Sequence, residues 1–125
     1  AAAKTLEILD ETNALENIEE YGIKLQQGIS KILNSRNIAH DFSGHPSMMG
    51  LFFAREAPSD YRGWLNSDYQ FYDTLAPHLH ELGVLVEPDS REPWFLCESH
   101  DMKCLHETLD KFEQAVDITT KEINT

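Results

Sequence analysis

From Ala14 to Arg36 the apolar positions are Leu15, Ile18, Gly22, Leu25, Ile29, Ile32 and Leu33. Steps of three and four place them on one stripe of an amphipathic helix. Glu16, Glu19, Glu20, Lys24, Gln26 and Lys31 occupy the opposite side. Gly22 and Gly28 each weaken such a helix by about 1 kcal/mol relative to Ala. Close packing against a neighbour would account for both. Ahead of Asn13, Ala1 to Glu11 reads as a shorter helix carrying Leu6 and Leu9 among good helix formers.

Beyond Asn37 the period changes. Ile38 to Phe42 alternates like an edge strand, and Ser43-Gly44-His45-Pro46 is a turn. Met48 to Ala54 is a nearly continuous apolar run, too short for a helix and suited to a strand buried on both faces. Arg55 to Asn66 reads as a loop. A helix over Ser67 to Leu82 should kink or restart near Leu75, because Pro77 removes a donor and clashes with the preceding turn. Gly83 is its natural stop. Val84-Leu85-Val86 and Trp94 to Cys97 read as two short strands around the polar turn Pro88 to Pro93. The last helix is expected to start at Ser99 as N-cap, with Asp101 in its first turn. Its stripe is Met102, Leu105, Leu109, Phe112 and Val116, and it frays beyond Asp117. The order α-β-β-α-β-β-α predicts one α+β domain over residues 1–125. It is a small, mostly antiparallel sheet of three or four strands with helices packed on one side.

Charge narrows the function classes. The 125 residues hold 22 acidic and 10 basic side chains, a formal net charge of −12. No Lys/Arg cluster is present to neutralise phosphates, so nucleic acid is excluded as a partner, and the same sign disfavours an anionic membrane surface. Aromatics at 10% argue against disorder. Two cysteines cannot staple a secreted scaffold, and neither a signal-peptide pattern nor a membrane-length apolar run occurs. The expectation is a cytoplasmic domain. The chain begins Ala1-Ala2-Ala3, already in a helical pattern and without Met. That suggests a piece of a longer protein, or else a trimmed or engineered start.

Two places could carry chemistry. Cys97, His100, Cys104 and His106 have zinc-ligand chemistry, but the first lies on a strand and the last two at different angles of a helix. Closed zinc sites need four convergent ligands. His78 and His80 cannot share a helix face, and no phosphate-binding loop or nucleophile elbow is present. The turn Glu87-Pro88-Asp89-Ser90-Arg91-Glu92-Pro93 joins two strands, where a scaffold presents functional groups. Glu92 is either a solvated turn acid paired with Arg91 or a functional carboxylate. Three readings compete at this point: an enzyme part, a free-standing acidic interaction module and a small metal-binding domain.

Four ordered stretches then resemble the C-terminal small domain of class III (ornithine-type) aminotransferases, nearest the glutamate-1-semialdehyde 2,1-aminomutase branch. Ala1 to Leu9 resembles the helix after that family's G-N-P segment. Ser47-Met48-Met49-Gly50-Leu51-Phe52-Phe53 resembles S-M-F-x-x-F-F. Asp60-Tyr61 with Ser67-Asp68 resembles N-Y-x-D-A-x-x-S-D. Gly83 to Phe95 resembles G-I-Y-L-A-P-S-Q-F-E-A-G-F, and His100 with Thr108-Leu109 continues it. The resemblance runs to about Val116.

What the resemblance implies is a domain that closes the active site of an enzyme dependent on pyridoxal phosphate. Glu92 takes the place of a glutamate that faces substrate or a mobile arginine, with Ser90 and Arg91 beside it as substrate-binding candidates. Other branches carry an arginine in the following strand, where this chain has Trp94-Phe95-Leu96-Cys97. Ser90-Arg91 and Pro93-Trp94 depart from the family's Gln-Phe and Ala-Gly, so a new cation and an indole would reshape the substrate pocket. The Schiff-base lysine and phosphate groups of such enzymes belong to a preceding large domain. None of Lys4, Lys24, Lys31, Lys103, Lys111 or Lys121 stands in a matching context. The implied partners are therefore that large domain, the second subunit of a homodimer, and a small amino-acid or amino-ketone substrate. By itself the chain is expected neither to bind the cofactor tightly nor to catalyse.

Overall fold

Helix formation follows the apolar spacing at both ends of the chain. The computed structural model describes residues 1–125, with α1 over Ala2–Glu11 and α2 over Ala14–Ser35. The hairpin of β1 (Asp41–Ser43) and β2 (Met48–Phe52) comes next, then α3 (Tyr61–Leu65), α4 (Tyr69–Glu81), β3 (Trp94–Phe95) and α5 (Met102–Ile123). The sheet is antiparallel in the order β1-β2-β3, with Phe42 opposite Leu51 and Met49 opposite Trp94. This is the expected α+β architecture. Every strand is short, so the sheet is held by what packs on it.

Alternate residues of β2 explain why it must be apolar throughout. Met49, Leu51 and Phe53 enter the main core with Leu25, Ile29 and Leu33 of α2, Leu75 and Leu79 of α4, and Phe112 and Val116 of α5. Phe52 points the other way and is also buried, covered by residues of the 58–64 segment and Arg91. The strand is therefore covered on both faces from Met49 to Phe52, while Met48 at its start is exposed.

Several expectations are corrected. The buried stripe of α2 is Ala14, Tyr21, Gly22, Leu25, Ile29 and Leu33, leaving Leu15 exposed. Tyr21 joins the stripe, with its ring stacked on His100. Helix α4 does not restart at Leu75 but runs through Pro77. The carbonyl that Pro77 leaves without a donor is that of Asp73, on an exposed face where water can satisfy it. The flanking Leu75, Ala76 and Leu79 are fully buried, and this packing holds the helix together.

Residues 84–86 form no strand. Their backbone groups are used by α4 instead. The Val84 N–H donates to Leu79 O and the Gly83 N–H to His80 O, closing a Schellman turn with Gly83 at φ +92°. His80 Nε2 donates to Val86 O at 2.6 Å. Strand β3 stops at Phe95 because, two residues later, the Cys97 N–H turns to His100 Nδ1 at 3.0 Å. The residues from Cys97 to His100 thus form a turn, and the N-cap of α5 is Asp101, not Ser99. Its side chain accepts from the Cys104 N–H at 2.9 Å. Met102, assigned to the buried stripe, is exposed, since it lies in the first turn after this cap.

The end of α5 does not fray at Asp117. Arg36 bonds Asp117 at 2.7 Å and Glu113 at 2.9 Å, Thr119 is buried, and Glu122 meets His78 at 2.6 Å. The ion pairs tie the last turns to the C-cap of α2 and to α4.

The two helix glycines do mark close approach. A Cβ on Gly22 would run into the carbonyl of Pro46, whereas one on Gly28 would meet the methyl groups of Leu109 at 2.5 and 2.6 Å. Backbone cannot move aside as cheaply as a leucine side chain. Gly22→Ala should therefore destabilise the chain by about 1–3 kcal/mol, overriding the helix-propensity gain of about 1 kcal/mol. Gly28→Ala should cost less. Urea unfolding followed by circular dichroism checks the pair, and an unchanged midpoint for Gly22→Ala would contradict the packing argument.

Candidate functional site

The turn at 87–93 is anchored from below by two aromatic side chains that bond to each other. Tyr72, on the core face of α4, donates its hydroxyl proton to Glu87 O at 2.7 Å and accepts from Trp94 Nε1 at 2.8 Å. Burial pushes the Tyr72 phenol up to about 12, so it remains a donor at any physiological pH. Trp94 is buried and packs edge-on against Phe112. The indole expected to reshape a substrate pocket instead fills the core.

The three sequence-selected residues have three different situations. Ser90 is only 3% exposed and its Oγ accepts from Trp64 Nε1 at 2.8 Å, so in this fold it is a tether. Arg91 is exposed, but it pairs with Asp89 and not with Glu92. Its Nε lies 3.0 and 3.1 Å from the two Asp89 oxygens, and its backbone N–H donates to Asp89 Oδ1 at 2.9 Å. Its guanidinium also covers the Trp64 ring, 4.7 Å from the centroid. Glu92 is exposed, and its backbone N–H donates to Asp89 O at 3.0 Å. Its carboxylate is in neither the ion pairs nor the side-chain hydrogen bonds of the fold. Of the turn's three carboxylates, Asp89 is occupied, while Glu87 at its base and Glu92 near its tip are free to meet something else.

Asp89 is held below the ordinary carboxylate range, chiefly by its hydrogen bonds from the Arg91 side chain and then from the Arg91 N–H. A lowered pKa means that this clasp is fully present above the unfolded value of about 3.9. It is lost as pH falls through the lower folded value. The midpoint of the Asp89 carboxyl shift in an NMR titration should therefore lie below the ordinary value of about 3.9, and the Arg91 side-chain signal should follow it. An Asp89 midpoint at or above the ordinary value would show that no clasp exists in solution.

Sequence reasoning missed α3 and its aromatics. Asp60 caps this short helix by accepting from the Gly63 N–H at 2.7 Å. Tyr61, Trp64 and Tyr69 stack in series, with centroids 5.5 and 4.5 Å apart. The signal was an Asp cap followed by aromatics three apart, in a segment too short to show a period.

The metal-ligand candidates do not come together. No group of three or more His, Cys, Asp or Glu side chains converges anywhere in the fold. Cys97 is exposed, His100 Nδ1 accepts from the Cys97 N–H, and its ring lies on Tyr21. His106 sits on an exposed face of α5.

On the far side of the turn lies a cleft of about 230 Å³ lined by Tyr21, Leu25, Val86, Trp94, Phe95 and His100, among others. Leu85 and Phe95 at its edge are 88% and 61% exposed. No lysine lines it. The two clefts that Lys24 borders also hold Glu20, and one of them adds Glu16 and Glu19. A phosphate would be repelled there, so the residues present do not fit pyridoxal phosphate. No helix of the chain is long and apolar enough to cross a membrane.

Comparison with known proteins places this geometry. No family profile matches the chain. The glutamate-1-semialdehyde 2,1-aminomutase of Aquifex aeolicus is 29% identical over 116 residues, covering 93% of this chain and 27% of that protein. The enzyme of the same name from Methanothrix thermoacetophila is 33% identical over 113 residues, covering 90% and 26%. The chain thus spans about a quarter of the length of the curated relatives it matches. Among solved structures, the Sphingopyxis sp. MTA144 FumI protein in its PLP internal aldimine form superposes with a TM-score of 0.82 at 23% identity, over 99% of this chain and 27% of that one. An omega-transaminase from Sphaerobacter thermophilus gives 0.73 at 17% identity, over 84% and 24%.

Proposed function

For a chain related to the C-terminal part of glutamate-1-semialdehyde 2,1-aminomutases and sharing its fold with PLP-dependent transaminases, we propose the role of an active-site-closing small domain. The parent is a class III aminotransferase or aminomutase acting on a small amino acid or amino ketone in the cytoplasm. The observation that carries this is the relationship running over nine-tenths of the chain, with the unpaired Glu92 on the one well-anchored exposed turn.

In the parent, pyridoxal phosphate would be held by the large domain and would supply an electron sink for the carbon bearing the amino group. No step passes through residues of the present chain to that cofactor. What these residues do is narrower. Tyr72 and Trp94 fix the base of the turn, the Arg91–Asp89 clasp sets its tip, and Glu92 offers a carboxylate to a cationic group of the substrate or of the facing domain. Leu85 and Phe95, the exposed apolar residues at the cleft, are suited to burial against the large domain. A second subunit would complete the assembly, as the resemblance implies.

Cofactor binding tests the proposal. The 125-residue chain titrated with pyridoxal phosphate should show no saturable absorbance change. A polypeptide that adds the coding sequence upstream of Ala1 should bind the cofactor and transfer or move an amino group. A reading frame that opens at Ala1, or an upstream sequence without a lysine-bearing domain, would overturn the assignment.

A further inference from the structure

Between α3 and the 87–93 turn, one side chain reaches both Ser90 and Arg91, and Tyr61 of the same helix adds a longer contact to the Arg91 guanidinium at 5.8 Å. Trp64 donates its indole N–H to Ser90 Oγ, and Ser90 is almost completely buried. The same indole carries the Arg91 guanidinium on its face at 4.7 Å. Trp64 is itself fixed by its place in the stack between Tyr61 and Tyr69 and by Asp60 at the start of its helix. The residue immediately after these two contacts is Glu92. Its own side chain holds on to nothing, so its direction depends on the backbone at 90 and 91.

We infer that Trp64 is the positioning residue for Glu92, orienting the carboxylate by pinning Ser90 with its N–H and Arg91 with its π face. Two contacts on consecutive residues fix the local backbone where one would leave a pivot. A hydrogen bond and a cation–π contact also fail under different substitutions, which makes the two components separable. The Asp89–Arg91 clasp lies within the turn and cannot anchor it to the fold. Tyr72 acts at Glu87, five residues before Glu92 in the chain. Trp64 alone holds both residues of the tip to the body of the domain, with the shorter of the two aromatic contacts to Arg91 and the only hydrogen bond to the Ser90 side chain. The inference rests on the proposed function only for what Glu92 faces, since the anchoring is a property of the free chain.

Hydrogen exchange on the 125-residue chain tests it. The reporters are the Arg91 and Glu92 amides, which donate to Asp89 Oδ1 and Asp89 O. Trp64→Ala removes both contacts and should speed their exchange about tenfold or more. Trp64→Phe keeps a ring in the stack but loses the N–H, and should give a smaller increase at Arg91 than Trp64→Ala, which frees the turn of both contacts. Amides of Phe112 and Val116 in α5 report global stability and should hold their rates. Tryptic cleavage after Arg91 should rise in the same order. Unchanged exchange of the turn in Trp64→Ala, or equal acceleration of the turn and α5, would overturn the inference. If the turn loosens as expected while Glu92→Gln leaves the full-length enzyme's turnover intact, the positioning stands and the functional reading fails. If turnover falls but the turn stays closed, the reverse holds.

Discussion

Phe112→Ala should lower the unfolding free energy by about 3–5 kcal/mol, a large share of the total in a domain whose stability is on the order of 5–15 kcal/mol. Phe112 is fully buried, on a helix that packs against both α2 and α4. Its ring meets Trp94 edge-on, with centroids 6.2 Å apart and planes at 70°. Truncation would leave a cavity beside an indole whose N–H is committed to Tyr72, so Trp94 cannot tilt into the space without breaking that bond. A site that cannot collapse falls at the costly end of large-to-small substitutions. The matching control is Phe95→Ala, because Phe95 is 61% exposed and its loss should stay within about 0.5 kcal/mol. Urea unfolding of both variants decides it. A Phe112→Ala change below about 1 kcal/mol would mean the core is looser than the contacts imply.

The same pair shows what the sequence could and could not disclose. Phe112 was legible because it stands at helical spacing with Leu105, Leu109 and Val116, and burial follows period. Trp94 and Phe95 are adjacent and equally apolar, and only the register of Met49 opposite Trp94 and Met48 opposite Phe95 tells which faces inward. Val84 to Val86 looked like a strand for a sound local reason, yet its hydrogen-bonding groups are taken by Leu79 and His80 across a helix terminus. Propensity reports which residues suit extended backbone and says nothing about whether a partner strand is within reach. Helix α5 outran its expected end because Arg36, 77 and 81 residues away in sequence from its partners, holds the last turns. Long-range pairs of this kind have no local signature.

At the candidate site the turn itself was legible, through its proline-bounded polar composition and its resemblance to an active-site segment. Its internal allegiances were not. Asp89, Arg91 and Glu92 are all within reach of one another on paper, and a turn acid beside an arginine suggests a pair. The backbone bend that gives the Arg91 and Glu92 amides to Asp89 decides the matter, because it also brings the guanidinium onto the Asp89 carboxylate. Trp64 lies 26 residues from the serine it binds, in a segment too short to display a period, and so drew no attention.

Glu92→Gln in the full-length enzyme should lower kcat/KM by about 30- to 1000-fold, the range for removing one charge from a close, desolvated charged pair. Glutamine keeps the shape and one acceptor oxygen while replacing the other with an NH2 donor, and the Glu92 side chain makes no bond within the fold, so folding and cofactor absorbance should be unchanged. What disappears is the negative charge offered to a cationic group. Asp89 cannot take over, since it is engaged by Arg91 through the side chain and the backbone together, and Glu87 sits at the base of the turn, five residues away. Asp89→Asn should behave differently: it weakens the clasp and loosens the tip, raising KM more than it lowers kcat, because Glu92 is then misplaced and not neutralised. Glu98→Gln is the control, an exposed acid outside the turn, and should stay within about twofold. Steady-state kinetics on the three variants at saturating cofactor separate these outcomes. Turnover of Glu92→Gln within threefold of the parent, on the order of 0.6 kcal/mol, would remove Glu92 from the active site and leave its turn as an anchored but chemically silent surface.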